Sequence, residues 1–189
     1  MNIIKSETLQ CLINAFTGES LAKNKYTIYA KIAQKENLNI IAEVFTETAC
    51  NEKEHAKLFY REIPNGDYAP DTKYPFFIGN TLENLLSASS AEKDEGDNIY
   101  KSGSEIAKNE GFDDISRLFK NIAEIEKRHS YRFATLAEEL KNSSLYKKSE
   151  TSQWICTKCG HTHIGKEAPC KCPVCKHEQY YFKQFCEKF

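Results

Sequence analysis

Two Glu-x-x-His segments, Glu52-Lys53-Glu54-His55 and Glu126-Lys127-Arg128-His129, constrain this chain more than any other feature. A spacing of three residues puts a carboxylate and an imidazole on one helix face, about 5–6 Å apart at Cβ. Both pairs lie on apolar stripes. Leu38, Ile41, Phe45, Thr48, Glu52, His55 and Phe59 recur at intervals of three and four. So do Ile115, Phe119, Ile122, Glu126, His129, Phe133, Leu136 and Leu140. Such stripes are helix faces turned to a core. A charge there costs several kcal/mol unless it is paired or bound to a metal. One Glu-x-x-His in a charged helix usually marks a solvated face. Two of them, both on apolar stripes, read as metal ligands.

Two further stripes complete the set. Leu12, Phe16, Glu19, Tyr26 and Ala30 form one, and Leu82, Leu85, Ser89, Glu92 and Ile99 the other. No proline interrupts any of the four, whereas Pro64, Pro70 and Pro75 cluster with Asn65-Gly66 in residues 63–80, which must be a connection. Asn80 and Glu83 resemble a capping box, and Gly111 closes the helix they open. The pattern predicts helices over 6–34, 36–62, 81–110 and 112–146, with one long crossover. That is an all-α four-helix bundle of ferritin-like connection. One Glu from each of two helices, with Glu-x-x-His from the other two, is the ligand set of di-iron carboxylate bundles. The candidate ligands are Glu19, Glu52, His55, Glu92, Glu126 and His129, with Glu95 as an extra carboxylate. Glu19 to Glu92 is 73 residues, while Glu52 to Glu126 and His55 to His129 are each 74. The two helix pairs therefore repeat one plan, and Glu95 breaks it. Glu43, Glu47, Glu54, Glu105, Glu110 and Glu124 read mostly as surface.

Composition changes near residue 150. Six of the eight Cys, three of the five His and the only Trp follow it. Residues 151–189 carry a formal +3 and residues 1–150 a formal −4. The polar stretch 142–152 reads as a linker, giving a bundle over 1–148 and a small irregular or β domain over 149–189. Cys156-x-x-Cys159 and Cys172-x-x-Cys175 are two knuckles of a tetrahedral thiolate site. So short a unit cannot bury enough core to fold unaided, and metal supplies the stability. Zinc or iron suits it equally by ligand type. Trp154, Tyr180, Tyr181 and Phe182 are expected to pack its core. His161 and His163 are superfluous to four thiolates, and Cys11, Cys50, Cys170 and Cys186 read as free thiols.

A net charge of −1 argues against a nucleic-acid binder, and a mean hydropathy of −0.61 with no long apolar run against a membrane span. Met1 to Leu9 shows no apolar signal-peptide core, and reduced cysteines suit the cytoplasm.

The sequence resembles the rubrerythrin family over nearly its whole length. The resemblance rests on Ala15-Phe16-Thr17-Gly18-Glu19-Ser20 with Asn24-Lys25-Tyr26-Thr27, Asn51-Glu52-Lys53-Glu54-His55-Ala56, and Ala123-Glu124-Ile125-Glu126-Lys127-Arg128-His129. Cys156-Thr157-Lys158-Cys159-Gly160-His161 through Cys172-Pro173-Val174-Cys175 resembles that family's rubredoxin-like module. The resemblance implies a non-haem di-iron peroxidase reducing hydrogen peroxide to water in oxidative-stress defence. It implies that Glu52 and Glu126 bridge two irons, that Glu92 and His129 bind one, and that Glu19 binds the other. That second iron is expected to exchange Glu95 for His55 on reduction. Tyr26 and Tyr100 match tyrosines that hydrogen-bond ligands or peroxide. Cys156, Cys159, Cys172 and Cys175 are expected to hold one iron (zinc when loaded heterologously) that relays electrons. The implied partners are a rubredoxin or an NAD(P)H-dependent reductase as donor, and a second copy in a head-to-tail or domain-swapped dimer. Ala91 stands where the family places a Gly, and Cys170 where it is usually polar. The competing readings are a ferroxidase or iron-storage protein, and a non-enzymatic metal-binding protein.

Overall fold

The computed structural model describes residues 2–185; Cys186 lies outside them. A short 3-10 turn, Ile3–Lys5, precedes α1 (Glu7–Lys35) and α2 (Asn39–Glu62). After the crossover come α3 (Thr81–Asp94), a π-helical turn (Glu95–Ile99), α4 (Tyr100–Asn109) and α5 (Asp113–Lys141). α1 packs chiefly on α2, and α3 and α4 on α5, so the bundle is two helical hairpins face to face. Among the described residues no helix is long and apolar enough to cross a membrane.

The two hairpins are built alike down to their termini. α1 ends in a Schellman turn: Leu38 N–H reaches Ala33 O (2.9 Å) and Asn37 N–H reaches Gln34 O (3.1 Å), with Asn37 at φ 59°. α4 ends in the same turn 74 residues on. Phe112 N–H reaches Ala107 O (2.8 Å) and Gly111 N–H reaches Lys108 O (3.1 Å), with Gly111 at φ 83°. The residue before each turn crosses to the other hairpin. Glu110 accepts from Glu7 N–H (3.0 Å), Thr8 N–H (2.8 Å) and the Thr8 hydroxyl (2.5 Å), capping α1. Glu36 accepts from Thr81 N–H at 3.2 Å at the start of α3. Glu110 is therefore no idle surface carboxylate: it satisfies donors that a helix start leaves unpaired. Two aromatic triads repeat in the same way. Tyr26, Phe45 and Phe133 have centroids 5.0–5.9 Å apart, and Tyr100, Phe119 and Phe59 4.9–5.8 Å apart.

The symmetry has one interruption. Thr8 to Thr81 and Glu19 to Glu92 are offset by 73, but Tyr26 to Tyr100 and Glu36 to Glu110 by 74. The extra residue is the π-turn, where Tyr100 N–H bonds Glu95 O, five residues back. This corrects the stripe expected for the third helix. From the turn onward the inward positions become Gly96, Tyr100, Gly103 and Ala107, and Ile99 is 49 % exposed. The third helix is thus three segments, and the fourth ends at Lys141, where Ser144 N–H closes on Glu139 O (2.8 Å). The Asn80–Glu83 capping box is formed.

The polar stretch 142–152 is only partly a connection, because β1 (Lys147–Cys156) begins inside it. β1 is central in an antiparallel sheet of order β2-β1-β3, with β2 at Thr162–Glu167 and β3 at Phe182–Gln184. A bulge between Lys147 and Ser152 absorbs the irregular start. Trp154, Cys156, Ala168, Cys172 and Phe182 form its core. Tyr180 and Tyr181 lie outside that core, half-buried and packed on each other at 4.7 Å. Lys183 pairs with Glu43 of α2 at 3.1 Å.

Candidate metal centres

Four helices bring six of the sequence-selected residues to one point in the core. Glu19 comes from α1, Glu52 and His55 from α2, Glu92 from α3, and Glu126 and His129 from α5; all six are buried. They form two groups, Glu19–Glu52–His55–Glu126 and Glu52–Glu92–Glu126–His129, each with ligand atoms within 4.8 Å of one another. Glu52 and Glu126 belong to both. His55 Nδ1 lies 2.8 Å from Glu52 Oε2, 2.9 Å from Glu126 Oε1 and 3.7 Å from Glu19 Oε1. His129 Nδ1 lies 2.7 Å from Glu126 Oε2, 3.2 Å from Glu52 Oε1 and 3.4 Å from Glu92 Oε2. Each shared carboxylate thus turns one oxygen to each histidine, the pattern of a bridging ligand.

Several of these contacts are close without having the direction of hydrogen bonds. Both oxygens of Glu52, Glu126 Oε1, Glu92 Oε2 and His55 Nδ1 are buried and have no hydrogen-bond partner. Polar atoms in such positions cost several kcal/mol each unless a cation satisfies them. The electrostatics agree. Burial, then the surrounding charges, pushes Glu19 and Glu95 well above the usual carboxylate range; burial and the Glu52 charge push Glu92 to about 8. Burial works against the charge on Glu126 too, but the adjacent His129 and His55 imidazoles win and hold it at about 2. Burial disfavours charge on His129, yet Glu126, Glu52 and Glu92 carry it up to about 12; the carboxylates Glu126, Glu19 and Glu52 raise His55 likewise. A core with this many carboxylates takes up protons wherever cations do not neutralise it. The donor set of carboxylates and two imidazoles fits a pair of iron ions.

Two tyrosines cross between the hairpins onto the outer carboxylates. Tyr100 donates to Glu19 Oε1 at 2.7 Å, and Tyr26 donates to Glu92 Oε1. Burial and the adjacent carboxylates push both phenols well above their ordinary value, so each stays a donor. Glu95 joins neither group. It is half-buried on the π-turn and lines a cavity of about 450 Å³ between α1 and the crossover segment 74–78. Ala91 lines that cavity as well.

The four-cysteine site is built from two equivalent knuckles. Cys156 N–H bonds His161 O and Cys172 N–H bonds His177 O, both at 2.8 Å. Gly160 and Lys176, the residues after the second thiol of each knuckle, take φ 77° and 62°. The thiols interleave: Cys156 Sγ is 3.6 Å from Cys175 Sγ, and Cys159 Sγ is 3.6 Å from Cys172 Sγ. A tetrahedron of metal–sulfur bonds of about 2.3 Å has edges of about 3.8 Å, so the site fits a single ion. His161 and His163 contribute to no ligand group; His177, which sequence reasoning passed over, places Nδ1 3.3 Å from Cys175 Sγ. Cys11, Cys50 and Cys170 are free, and burial pushes the Cys11 thiol up to about 11.

The rubrerythrin family profile matches residues 10–137, with a second match over 83–154, and the rubrerythrin rubredoxin-like domain matches residues 154–183. The chain belongs to the rubrerythrin family. A Methanocaldococcus jannaschii relative is 42 % identical over 193 aligned positions, spanning 97 % of this chain and 95 % of that protein. Rubrerythrin of Porphyromonas gingivalis is 39 % identical over 179, spanning 94 % and 90 %. Among solved structures, mixed-valent nigerythrin superposes with a TM-score of 0.62 at 26 % identity, over 96 % of this chain and 90 % of that one. As a rubrerythrin-family member the chain is a di-iron carboxylate protein with a rubredoxin-like module, in a family of oxidoreductases.

Proposed function

We propose that this chain is a peroxidase that reduces hydrogen peroxide to water, with electrons entering through the four-cysteine module. One observation carries the reading: Glu52 and Glu126 each divide their oxygens between two histidine-anchored groups, in a chain that also bears a tetrahedral thiolate site. When bound, the iron pair supplies two electrons and Lewis acidity toward both peroxide oxygens, and the thiolate iron supplies electrons singly.

In this reading Glu52 and Glu126 hold both ions, Glu92 and His129 complete one position, and Glu19 with His55 or Glu95 completes the other. The placement of His55 inside its group and of Glu95 outside both supports the imidazole as one ligand of that position. Tyr26 and Tyr100 orient Glu92 and Glu19 and offer O–H protons to an oxygen leaving the site. The apolar stripes keep bulk water from the carboxylates. The bundle, 1–148, and the module, 149–189, act as separate functional units. The donor is a rubredoxin or an NAD(P)H-dependent reductase, the working assembly a head-to-tail or domain-swapped dimer, and the location cytoplasmic. The attached thiolate module favours this reading over iron storage, which has no need of a relay.

The test is anaerobic: iron-loaded protein, a reduced rubredoxin-type donor and hydrogen peroxide, followed by donor absorbance. Two donor equivalents should be oxidised per peroxide. Oxidation no faster than without the protein rejects the proposal.

A further inference from the structure

Hydrogen peroxide needs little room, yet the cavity beside the candidate di-iron site is large and apolar. Its volume of about 450 Å³ falls within the range of organic-ligand pockets. Leu21, Ala22 and Ile28 of α1 form one wall, and Pro75, Phe77 and Ile78 of the crossover form the other. The crossover is fixed over the space by two tyrosines: Tyr74 donates to Asn14 O and Tyr29 to Phe77 O, both at 2.7 Å. Among the described residues Glu95 is the only carboxylate in the lining. Gly18, next to Glu19, is also in the lining. A Cβ at Gly18 would stand 3.4 Å from the Tyr74 ring and 3.8 Å from Glu95 Oε1, so the absence of a side chain keeps that space open.

A small polar peroxide gains nothing from apolar walls, whereas a hydrocarbon group does. We propose that this cavity seats the organic group of a hydroperoxide, ROOH with R an apolar alkyl or aryl group, and holds its –OOH end at Glu95. The inference rests on the peroxidase reading and extends its substrate class. The net reaction is ROOH + 2 e⁻ + 2 H⁺ → ROH + H₂O. The O–O bond breaks, the R–O bond is kept, a one-electron protein donor used twice supplies the electrons, and solvent supplies the protons.

The test uses the iron-loaded full chain with hydrogen peroxide and cumene hydroperoxide, and two cavity-filling variants, Leu21→Trp and Ile28→Trp. Neither residue is a candidate ligand. For the unsubstituted protein, kcat/KM for cumene hydroperoxide should come within about tenfold of that for hydrogen peroxide. Either variant should lower the cumene hydroperoxide value by about 10–100-fold, the scale set by losing apolar pocket contacts, while moving the hydrogen peroxide value less than about twofold. Calorimetry with cumyl alcohol, the redox-inert product, reads the pocket without turnover: binding in the unsubstituted protein and its loss in both variants is expected. Turnover of hydrogen peroxide alone, equal losses for both peroxides, or no binding of the alcohol overturns the inference. Turnover of neither peroxide rejects the peroxidase reading itself.

Discussion

Replacing Glu110 with Ala removes a cap that one hairpin gives the other. Its carboxylate accepts three hydrogen bonds at 2.5–3.0 Å from Glu7 and Thr8, and Thr8 is fully buried. A hydrogen bond to a charged group contributes about 1.5–3 kcal/mol and an N-cap about 0.5–2 kcal/mol, and these overlap because they count the same contacts. The expected loss is about 2 kcal/mol at neutral pH, equivalent to about 4–8 °C in Tm for a chain of this size. Glu36→Ala removes a single bond of 3.2 Å and should cost less than about 1 kcal/mol. The pH dependence follows from the Thr8 hydroxyl and the Thr8 and Glu7 amides, which hold the Glu110 carboxyl below its ordinary 4.5. A depressed carboxylate contributes stability above the unfolded value and loses it as pH falls through the folded one. The difference between native and Glu110→Ala protein should therefore be constant above about pH 5 and shrink below about pH 4.5. Denaturant unfolding followed by circular dichroism measures the difference, and amide exchange at Thr8 and Leu9 locates it. A neutral-pH loss under about 0.5 kcal/mol, or one unchanged at pH 3, refutes the reasoning.

Four further outcomes follow. Glu52→Ala or Glu126→Ala should release metal from the bundle and destabilise it by several kcal/mol, because each leaves the remaining carboxylates without a shared counter-ion; full iron content by elemental analysis would contradict the bridging role. Cys156→Ser should abolish the coloured thiolate centre while the bundle keeps its iron, and sustained peroxide turnover should fall; undiminished turnover with a rubredoxin-type donor rejects the relay. Paired crystals should show Glu95 bound and His55 free when oxidised, and the reverse when reduced, since the harder ferric ion prefers the anionic oxygen; an unchanged ligand set sinks the exchange. Gly96→Ala should lower the unfolding free energy by about 1–3 kcal/mol, because its Cβ would stand 2.9 Å from the Ala123 carbonyl oxygen of α5; a neutral effect would show that the π-turn can retreat.

The parts of this molecule written in periodicity were readable from the chain. The α2 and α5 stripes are buried from Ile41 to Phe59 and from Ile115 to Leu136, because a 3.6-residue repeat and a core face are the same information. The knuckles were readable because a tetrahedron fixes cysteine spacing. What escaped was non-local. Nothing near Glu110 or Glu36 in sequence says that each accepts from a helix start in the fold's other half, 102 and 45 residues away, and Ile99 kept an inward period that the π-turn cancels. His177 escaped for a related reason: its distance to Cys175 depends on how the second knuckle closes.

The change of offset from 73 to 74 is the trace of that π-turn in the sequence, and it links symmetry to chemistry. Without the insertion, α3 and α4 would copy α1, and the two metal positions would be equivalent: one Glu, one His, two shared carboxylates and one cross-hairpin tyrosine each. The inserted residue keeps Tyr100 in its symmetric place against Glu19 while rotating the turn before it, so that Glu95 comes to the edge of the core. Glu95, which lines the apolar cavity, is the carboxylate by which the two halves then differ. A π-turn is a less favourable helix than the one it interrupts. Its place at the point where two otherwise matched halves differ fits the exchanging-ligand role proposed for Glu95.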